Sequence, residues 1–224
     1  MRHALLAEGL GTTALLAVVV GSGIMGQTLA NGNDAITLLA NAAATAAALY
    51  VLITVLGPVS GAHFNPAVTL AMRWRGALGT RTTVGYVVVQ VIGAIAGVVL
   101  AHAMFDQPLL QPGTHVRSGG AQWLSEAAAT FGLLLTILLG LRHRASSVPA
   151  LVAGYIFAGY WFTASTSFAN PAVTAARALT QTFAGIRPCD VPPFILAQLG
   201  GAALALITAG WLMGAPTAAR EEVP

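Results

Sequence analysis

The chain has 224 residues, of which 56% are hydrophobic and only 8% are charged, and its formal net charge is +3. Because soluble domains carry about 25% charged residues, this composition excludes an ordinary soluble domain and favours a membrane protein. All ten basic residues are arginines. They are scattered over short polar segments rather than grouped in one patch, so no nucleic-acid partner is expected.

Six apolar runs are each about as long as the ~20 residues that a helix needs to cross a bilayer. In chain order they cover residues 5–28, 35–56, 82–103, 123–141, 148–164 and 191–213. Glu8 and Gly11 interrupt the first run, so we expect a lasting span rather than a cleaved signal segment. The sequence therefore predicts an all-α membrane protein, organised as a single membrane domain over residues 1–224.

The arginines also predict the orientation of the chain. If the six spans alternate in direction, seven arginines lie on one side of the membrane: Arg2, Arg73, Arg75, Arg81, Arg142, Arg144 and Arg220. The other side carries three: Arg117, Arg177 and Arg187. Arginine-rich loops stay in the cytoplasm, so we expect both termini there, in an inner (plasma) membrane protein.

One five-residue segment occurs twice in the chain. The pentapeptide Asn-Pro-Ala-Val-Thr stands at residues 65–69 and again at residues 170–174. Glu8 in the first span is matched by Glu126 in the fourth, and Gln90 in the third by Gln198 in the sixth. We therefore expect two repeats, at about residues 1–105 and 120–216. Each holds three spans, so the second repeat is inverted, and such repeats place their site near the membrane midplane.

Each pentapeptide lies in a segment between two spans that is too short to cross the membrane and return. Residues 66–74 are compatible with a helix. A helix of ~10 residues is about 15 Å long, roughly half of the ~30 Å hydrocarbon core. The sequence thus predicts two re-entrant half-helices that enter from opposite faces and meet end to end.

The residue types of the repeated pentapeptide suit helix ends at a pore centre. Asparagine is a preferred N-cap, proline is favoured at the first helical position, and alanine lets two helix ends approach closely. The free amide donors would point into any opening between the repeats. Donors and helix dipoles in a narrow pore exclude protons and ions while neutral molecules pass. The predicted pore-centre residues are Asn65, Pro66, Ala67, Asn170, Pro171 and Ala172.

Taken together, these features resemble the aquaporin, or major intrinsic protein, family over nearly the whole chain. The matching positions are residues 7–12, 60–69 and 170–172, with Gln90, Glu126 and Gln198. The resemblance implies the aquaporin fold, a homotetramer with one pore per protomer, and a channel without enzyme activity or cofactor. It also implies that Glu8 and Glu126 are buried braces for the loop backbones. His63 would lie at the inner vestibule, with packing inside the loop as the alternative.

One departure from the family pattern concerns the selectivity filter. In most members an arginine follows the second Asn-Pro-Ala, and here that residue is Val173. The chain is in this respect similar to a bacterial aquaglyceroporin branch that lacks the arginine and is linked to arsenic resistance. We therefore expect passage of water, glycerol-like polyols and metalloid hydroxides such as arsenite. The other filter positions implied by the family pattern are Thr45, Phe157 or Ala158, and Ser167 or Thr166.

Arg177 leaves two interpretations open. It lies one helical turn beyond Val173 and can restore positive charge in the outer vestibule, which would favour a mainly water-conducting channel. Alternatively, it serves only the C-terminus of the half-helix. A secondary transporter is the rival class, although only Glu8 and Glu126 offer midplane ionisable groups. The five histidines are dispersed without ligand spacing, so no metal site is expected.

Overall fold

The computed structural model describes residues 1–214. Among these residues, six helical segments are long and apolar enough to cross a membrane, of which the fifth is Ala145–Phe162 and the sixth Pro188–Met213. Their α-helical parts are α1 (Arg2–Leu29), α2 (Asp34–Ser60), α4 (Thr80–Met104), α5 (Gly120–His143), α6 (Val148–Phe162) and α8 (Val191–Met213). Two short helices are α3 (Pro66–Trp74) and α7 (Pro171–Arg177). Short 3₁₀ turns at Ala145–Ser147 and Pro188–Asp190 precede α6 and α8. The predicted architecture of six spans and two half-helices is confirmed.

The largest shift in a helix boundary is at the end of α2, which continues four residues beyond the expected residue 56 and through Pro58. It ends at Ser60 because Gly61 adopts a left-handed conformation with φ of 87° and its N–H bonds to the carbonyl of Gly57, a common helix stop. This extension brings the chain to the start of the first re-entrant loop with Ser60 near the interior.

Small residues allow the long helices to pack closely in matched pairs. In α4, a Cβ on Gly93 would lie 2.5 Å from the carbonyl oxygen of Gly9 in α1, and Gly201 of α8 has equally little room against Ala127 of α5. Such close backbone approach is typical of helix pairs in membranes. The tight crossings α1–α4 and α5–α8 place Gln90 and Gln198 in the interior, where both are fully buried.

The two half-helices pack between the long helices. Both α3 and α7 contact α4 and α8, and they also contact each other. Their first residues are buried while Trp74, at the far end of α3, is 82% exposed. The half-helices therefore begin at the centre of the molecule and run outward from it.

Candidate functional site

The two half-helices are capped in the same way at the centre. Asn65 Oδ1 accepts the N–H of Ala67 at 2.9 Å, and Asn170 Oδ1 accepts the N–H of Ala172 at 3.0 Å. Both asparagines have extended backbones and are followed by a proline at the first helical position, as N-cap chemistry requires. The residues after the caps are all buried: Pro66, Ala67, Pro171 and Ala172.

The asparagine amides also bind the two loops to each other. Asn65 Nδ2 donates to the carbonyl of Ala169 at 2.7 Å, and Asn170 Nδ2 donates to the carbonyl of Phe64 at 2.8 Å. An amide has two N–H donors, so each asparagine uses one on the opposite loop and keeps one. The expectation that the whole NH₂ group faces the opening is therefore corrected: one N–H of each asparagine fixes the distance between the two helix ends.

A buried carboxylate holds the first re-entrant loop. Glu8 Oε1 accepts from the Ser60 hydroxyl at 2.7 Å and from the N–H of His63 at 2.9 Å. Its other oxygen accepts from the N–H of Phe64 at 2.7 Å and from Gln90 Nε2 at 2.8 Å. Four donors thus surround one carboxylate, and they come from three different parts of the chain.

Glu126 holds the second loop in nearly the same way. Its Oε1 accepts from the N–H of Phe168, and its Oε2 from the N–H of Ala169, both at 2.9 Å. Gln198 Nε2 donates to Oε2 at 2.6 Å and to the Thr174 hydroxyl at 2.8 Å. Both intramembrane carboxylates therefore face the bundle interior and are fully paired.

These carboxylates stabilise loop backbones that are strained. Left-handed φ angles between 47° and 62° occur at five loop residues that are not glycine: Ala62, Phe64, Thr166, Ser167 and Ala169. Each such residue costs on the order of 1–3 kcal/mol and persists only when its surroundings fix it. The hydrogen bonds from the loop N–H groups to Glu8 and Glu126 supply that constraint.

A cavity of about 200 Å³ runs along both re-entrant loops. Its walls are mainly aliphatic side chains from α1, α2, α5 and α6. Its polar side chains are Thr45, His63, Asn65, Tyr160, Ser167, Asn170 and Arg177. A mostly apolar cavity with a few placed polar groups is typical of a small-molecule site.

The cavity contains three of the predicted filter residues. Thr45, Val173 and Ser167 line it, whereas Thr166 does not. Val173 is 5% exposed and forms an apolar part of the cavity wall, three residues after the capping Asn170. Of the two alternatives for the loop position, Ser167 is therefore the one that contacts the cavity.

On α6 the structure differs from the expected lining at residues 157 and 158. Phe157 and Ala158 are exposed on the outer surface of α6 and do not line the cavity. Ile156 and Tyr160 line it instead, four residues apart and therefore on one helix face. The Tyr160 hydroxyl lies 3.2 Å from the Thr45 hydroxyl, so the aromatic group and the small residue form one polar pair.

Arg177 is buried at the end of the cavity rather than exposed. It is 2% exposed, and its guanidinium carbon lies 3.4 Å from the centre of the Phe168 ring. Its Nε donates to the carbonyl of Ala184. The side chain contacts both a pore-lining aromatic ring and the loop after α7, so its charge is held at the cavity wall.

Sequence reasoning missed Arg117, which lies in the connection between α4 and α5. Its Nε donates to the carbonyl of Gly185 at 2.9 Å and its Nη1 to that of Ser165 at 3.2 Å. Its backbone N–H donates to Asp190 at 2.9 Å. Burial lowers the pKa of Arg117 to about 10, so the side chain stays charged at neutral pH. No sequence pattern around residue 117 distinguishes it from an ordinary loop arginine.

The two arginines share one aromatic ring. The guanidinium carbon of Arg117 lies 4.9 Å from the centre of the Phe168 ring, which Arg177 also contacts. Cations are attracted to aromatic rings at such distances. Phe168 itself is 5% exposed and packs edge to face against Phe194. Two buried positive charges therefore flank the second re-entrant loop.

His63 lies in the first re-entrant loop and contacts both the cavity and its own loop. It lines the cavity, and within the loop its Nδ1 lies 3.1 Å from the Thr69 hydroxyl, while its ring packs against Tyr86. Among residues 1–214, no group of three or more His, Cys, Asp or Glu side chains is placed to hold a metal ion.

Comparison with known proteins agrees with this geometry. The sequence model of the family described as Major intrinsic protein matches residues 1–155. Aquaglyceroporin AqpS of Rhizobium meliloti (strain 1021) is 58% identical over 207 residues, which cover 92% of this chain and 88% of that protein. A probable glycerol uptake facilitator protein of Thermotoga maritima is 29% identical over 168 residues, or 67% of this chain and 70% of that protein.

A solved structure shows the same fold. The X-ray structure of the aquaglyceroporin from Plasmodium falciparum superposes with a TM-score of 0.76 at 18% identity and covers 94% of this chain and 96% of its own. Together with the sequence matches, these findings establish a multi-pass membrane channel for small neutral solutes, not an enzyme. The chain belongs to the major intrinsic protein family.

Proposed function

We propose that this channel passes water, glycerol-like polyols and metalloid hydroxides such as arsenite, and excludes ions and protons. The observation that carries the proposal is Val173, a buried apolar wall at the position where most family members have an arginine. A valine removes a fixed cation with its five N–H donors. The filter then favours solutes that are larger and less polar than water.

Two further findings support a polyol-sized solute. The cavity is lined mainly by aliphatic side chains, which suits the carbon face of a polyol, while Thr45 and Tyr160 offer hydroxyls to its oxygens. The relatives described above are named as an aquaglyceroporin and as a probable glycerol uptake facilitator. Uncharged arsenite, a trihydroxide, has a shape close to that of glycerol.

Ion and proton exclusion rests on two elements. At the centre, Asn65 and Asn170 each keep one N–H donor for a passing solute, beside the positive ends of two helix dipoles. At the second re-entrant loop, Arg177 supplies a positive charge at the cavity wall in place of the missing filter arginine. We propose that Arg117 adds to this field, because it lies on the same Phe168 ring.

We further propose a homotetramer in the inner membrane, with one pore per protomer and both termini in the cytoplasm. The orientation follows from the arginines, since six of those at residues 1–214 lie on the face of the bundle that carries the N-terminus. The two inverted repeats would extend over about residues 1–105 and 120–216. This arrangement leaves the Arg177 end of the pathway on the outer side.

The proposal is tested by stopped-flow light scattering on proteoliposomes, with water, glycerol and arsenite as separate solutes. We expect protein-dependent flux of all three, no saturation with glycerol concentration, and a low activation energy. Saturation with a high activation energy would indicate a transporter and would overturn the channel mechanism. Empty liposomes and liposomes with an unrelated membrane protein serve as controls.

A mainly water-conducting channel is the second candidate. The observation that favours it is Arg177, whose buried guanidinium lines the cavity. Its positive charge can partly replace that of the filter arginine. The same experiment separates the two candidates. Fast water flux with glycerol and arsenite fluxes at the level of empty liposomes would select the water channel.

A further inference from the structure

A second cavity, which shares no lining residue with the first, lies at the face of the bundle that carries the N-terminus. It has a volume of about 320 Å³ and opens between the ends of α3, α5 and α8. Arg75 follows α3, Arg142 lies in the last turn of α5, and both line it. The α8 side of the cavity is formed by Leu206, Gly210 and Met213.

The two arginines have no acidic partner in the part of the chain that the structure describes. The hydrogen bond found for the Arg75 side chain joins Nη1 to the thioether sulfur of Met213 at 3.8 Å, and a thioether is a weak acceptor. Across residues 1–214, the salt bridge found is Arg187–Asp190, in the chain segment that leads into α8 from the opposite face. The cavity thus presents two exposed guanidinium groups that no acidic side chain of residues 1–214 pairs with.

The whole face shares this imbalance. Six arginines lie on it: Arg2, Arg73, Arg75, Arg81, Arg142 and Arg144. The five described acids lie elsewhere, since Glu8 and Glu126 are buried at the re-entrant loops and Asp34, Asp106 and Asp190 lie at the opposite face. Among residues 1–214, this face therefore carries positive charge without an acidic side chain.

Two tryptophans place the cavity at the edge of the bilayer. Trp74, a lining residue, is 82% exposed, and Trp211, one position after the lining Gly210, is 86% exposed. Exposed tryptophans on membrane helices lie at the level of the lipid headgroups. The guanidinium groups of Arg75 and Arg142 therefore lie at the depth of lipid phosphates.

We propose that this cavity binds the phosphate headgroup of an anionic membrane lipid. Arg75 and Arg142 donate to the phosphate oxygens, as arginine does in charge-assisted pairs, and the acyl chains lie along the apolar surface of α8. Basic pockets between membrane helices are a known type of site for anionic headgroups. The competing occupant is the end of the chain itself, because Glu221 and Glu222 follow within eight residues of Gly214, which lines the cavity.

Native mass spectrometry of the full chain in mild detergent tests the proposal. Phosphatidylglycerol, phosphatidylcholine with the same acyl chains, and inorganic phosphate are titrated separately. We expect tight retention of phosphatidylglycerol alone. The double variant Arg75→Gln/Arg142→Gln should raise the apparent Kd roughly twenty-fivefold, since each arginine near an anionic lipid contributes about fivefold. Arg75→Lys/Arg142→Lys keeps the charge and should restore most of the binding.

Matched variants identify the occupant. Arg73→Gln/Arg144→Gln removes two arginines from the same face but outside the cavity, and should change the Kd by less than about twofold. Equal losses in the two glutamine variants would overturn the proposal, because they would show a diffuse charge effect. Retention of inorganic phosphate without lipid would also overturn it. So would lipid binding that appears only in Glu221→Gln/Glu222→Gln, since the tail would then be the occupant.

Discussion

The two re-entrant loops are equal at the centre of the protein and different at their outer ends. Each loop is held by one buried glutamate and leads into an asparagine that caps the half-helix, and one amide N–H of that asparagine donates to the other loop. Beyond the caps, the last turn of the first half-helix contains Arg73, which is exposed and donates to the Thr80 hydroxyl. The second ends in Arg177, which is buried on Phe168. The two loops are thus held alike at the centre, whereas at the outer ends of the half-helices one arginine is exposed and the other is buried against an aromatic ring.

The largest expected effect comes from breaking the shared part. In Glu8→Gln, one carboxylate oxygen is replaced by an NH₂ group that cannot accept, and buried donors lose their partners at about 1–3 kcal/mol each. We expect a large fall in melting temperature in detergent, measured by tryptophan fluorescence. The melting temperature of Glu126→Gln should fall nearly as far, because Glu126 accepts three hydrogen bonds where Glu8 accepts four.

The exposed Asp106 provides the control for this pair. Asp106→Asn should leave the melting temperature close to that of the wild type. An unchanged melting temperature in Glu8→Gln or Glu126→Gln would contradict the account, because the strained loops would then keep their conformation without the carboxylates.

The second largest effect is expected from removing the arginine at the outer end of one half-helix and comparing it with the same change in the other. Arg177→Gln removes the charge at the cavity wall, and we expect the leak of monovalent cations through proteoliposomes to rise about tenfold, the change that 1.4 kcal/mol of lost repulsion produces. Arg73→Gln, the corresponding change in the first half, should leave the leak unchanged. Both are measured as dissipation of a potassium gradient. Loss of folded protein in Arg177→Gln without any leak in the folded fraction would assign Arg177 a purely structural role.

A smaller effect concerns the lining of α6. Tyr160→Phe removes one hydroxyl from the cavity, and a single hydrogen bond has a net worth of about 0.5–1.5 kcal/mol. Glycerol flux relative to water flux should fall two- to threefold, roughly the lower end of that range. Phe157→Ala changes a residue on the outer surface of the same helix and should leave the ratio unchanged. If Phe157→Ala changed the ratio more than Tyr160→Phe, the placement of α6 would be wrong.

The sequence was sufficient for the features that follow from local chemistry. The half-helix at residues 66–74 was predicted with its boundaries, and the existence of a second, asparagine-capped copy was predicted without its end, because cap and proline preferences act within a few residues. The sequence did not predict which face of α6 lines the cavity. Phe157 and Tyr160 are both aromatic, and a membrane helix is apolar toward lipid and toward the core, so hydrophobicity does not reveal which face is inside.

Arg117 shows a second limit. It lies in the connection between α4 and α5, 48 residues before Ser165 and 68 before Gly185, whose carbonyls it reaches. Only the folded loop brings these groups together, and neither spacing nor composition marks the contact. The residues that differ between the two halves were thus the ones the sequence revealed least.

The most direct test of the central claim, that Val173 widens the filter, is the ratio of glycerol to water flux in Val173→Arg. Stopped-flow light scattering on proteoliposomes measures both fluxes for this variant and the wild type, with equal amounts of folded protein. We predict that glycerol and arsenite fluxes fall much more than water flux, because arginine restores a bulky cation at the cavity wall. Equal loss of all three fluxes, or no loss, would contradict the account.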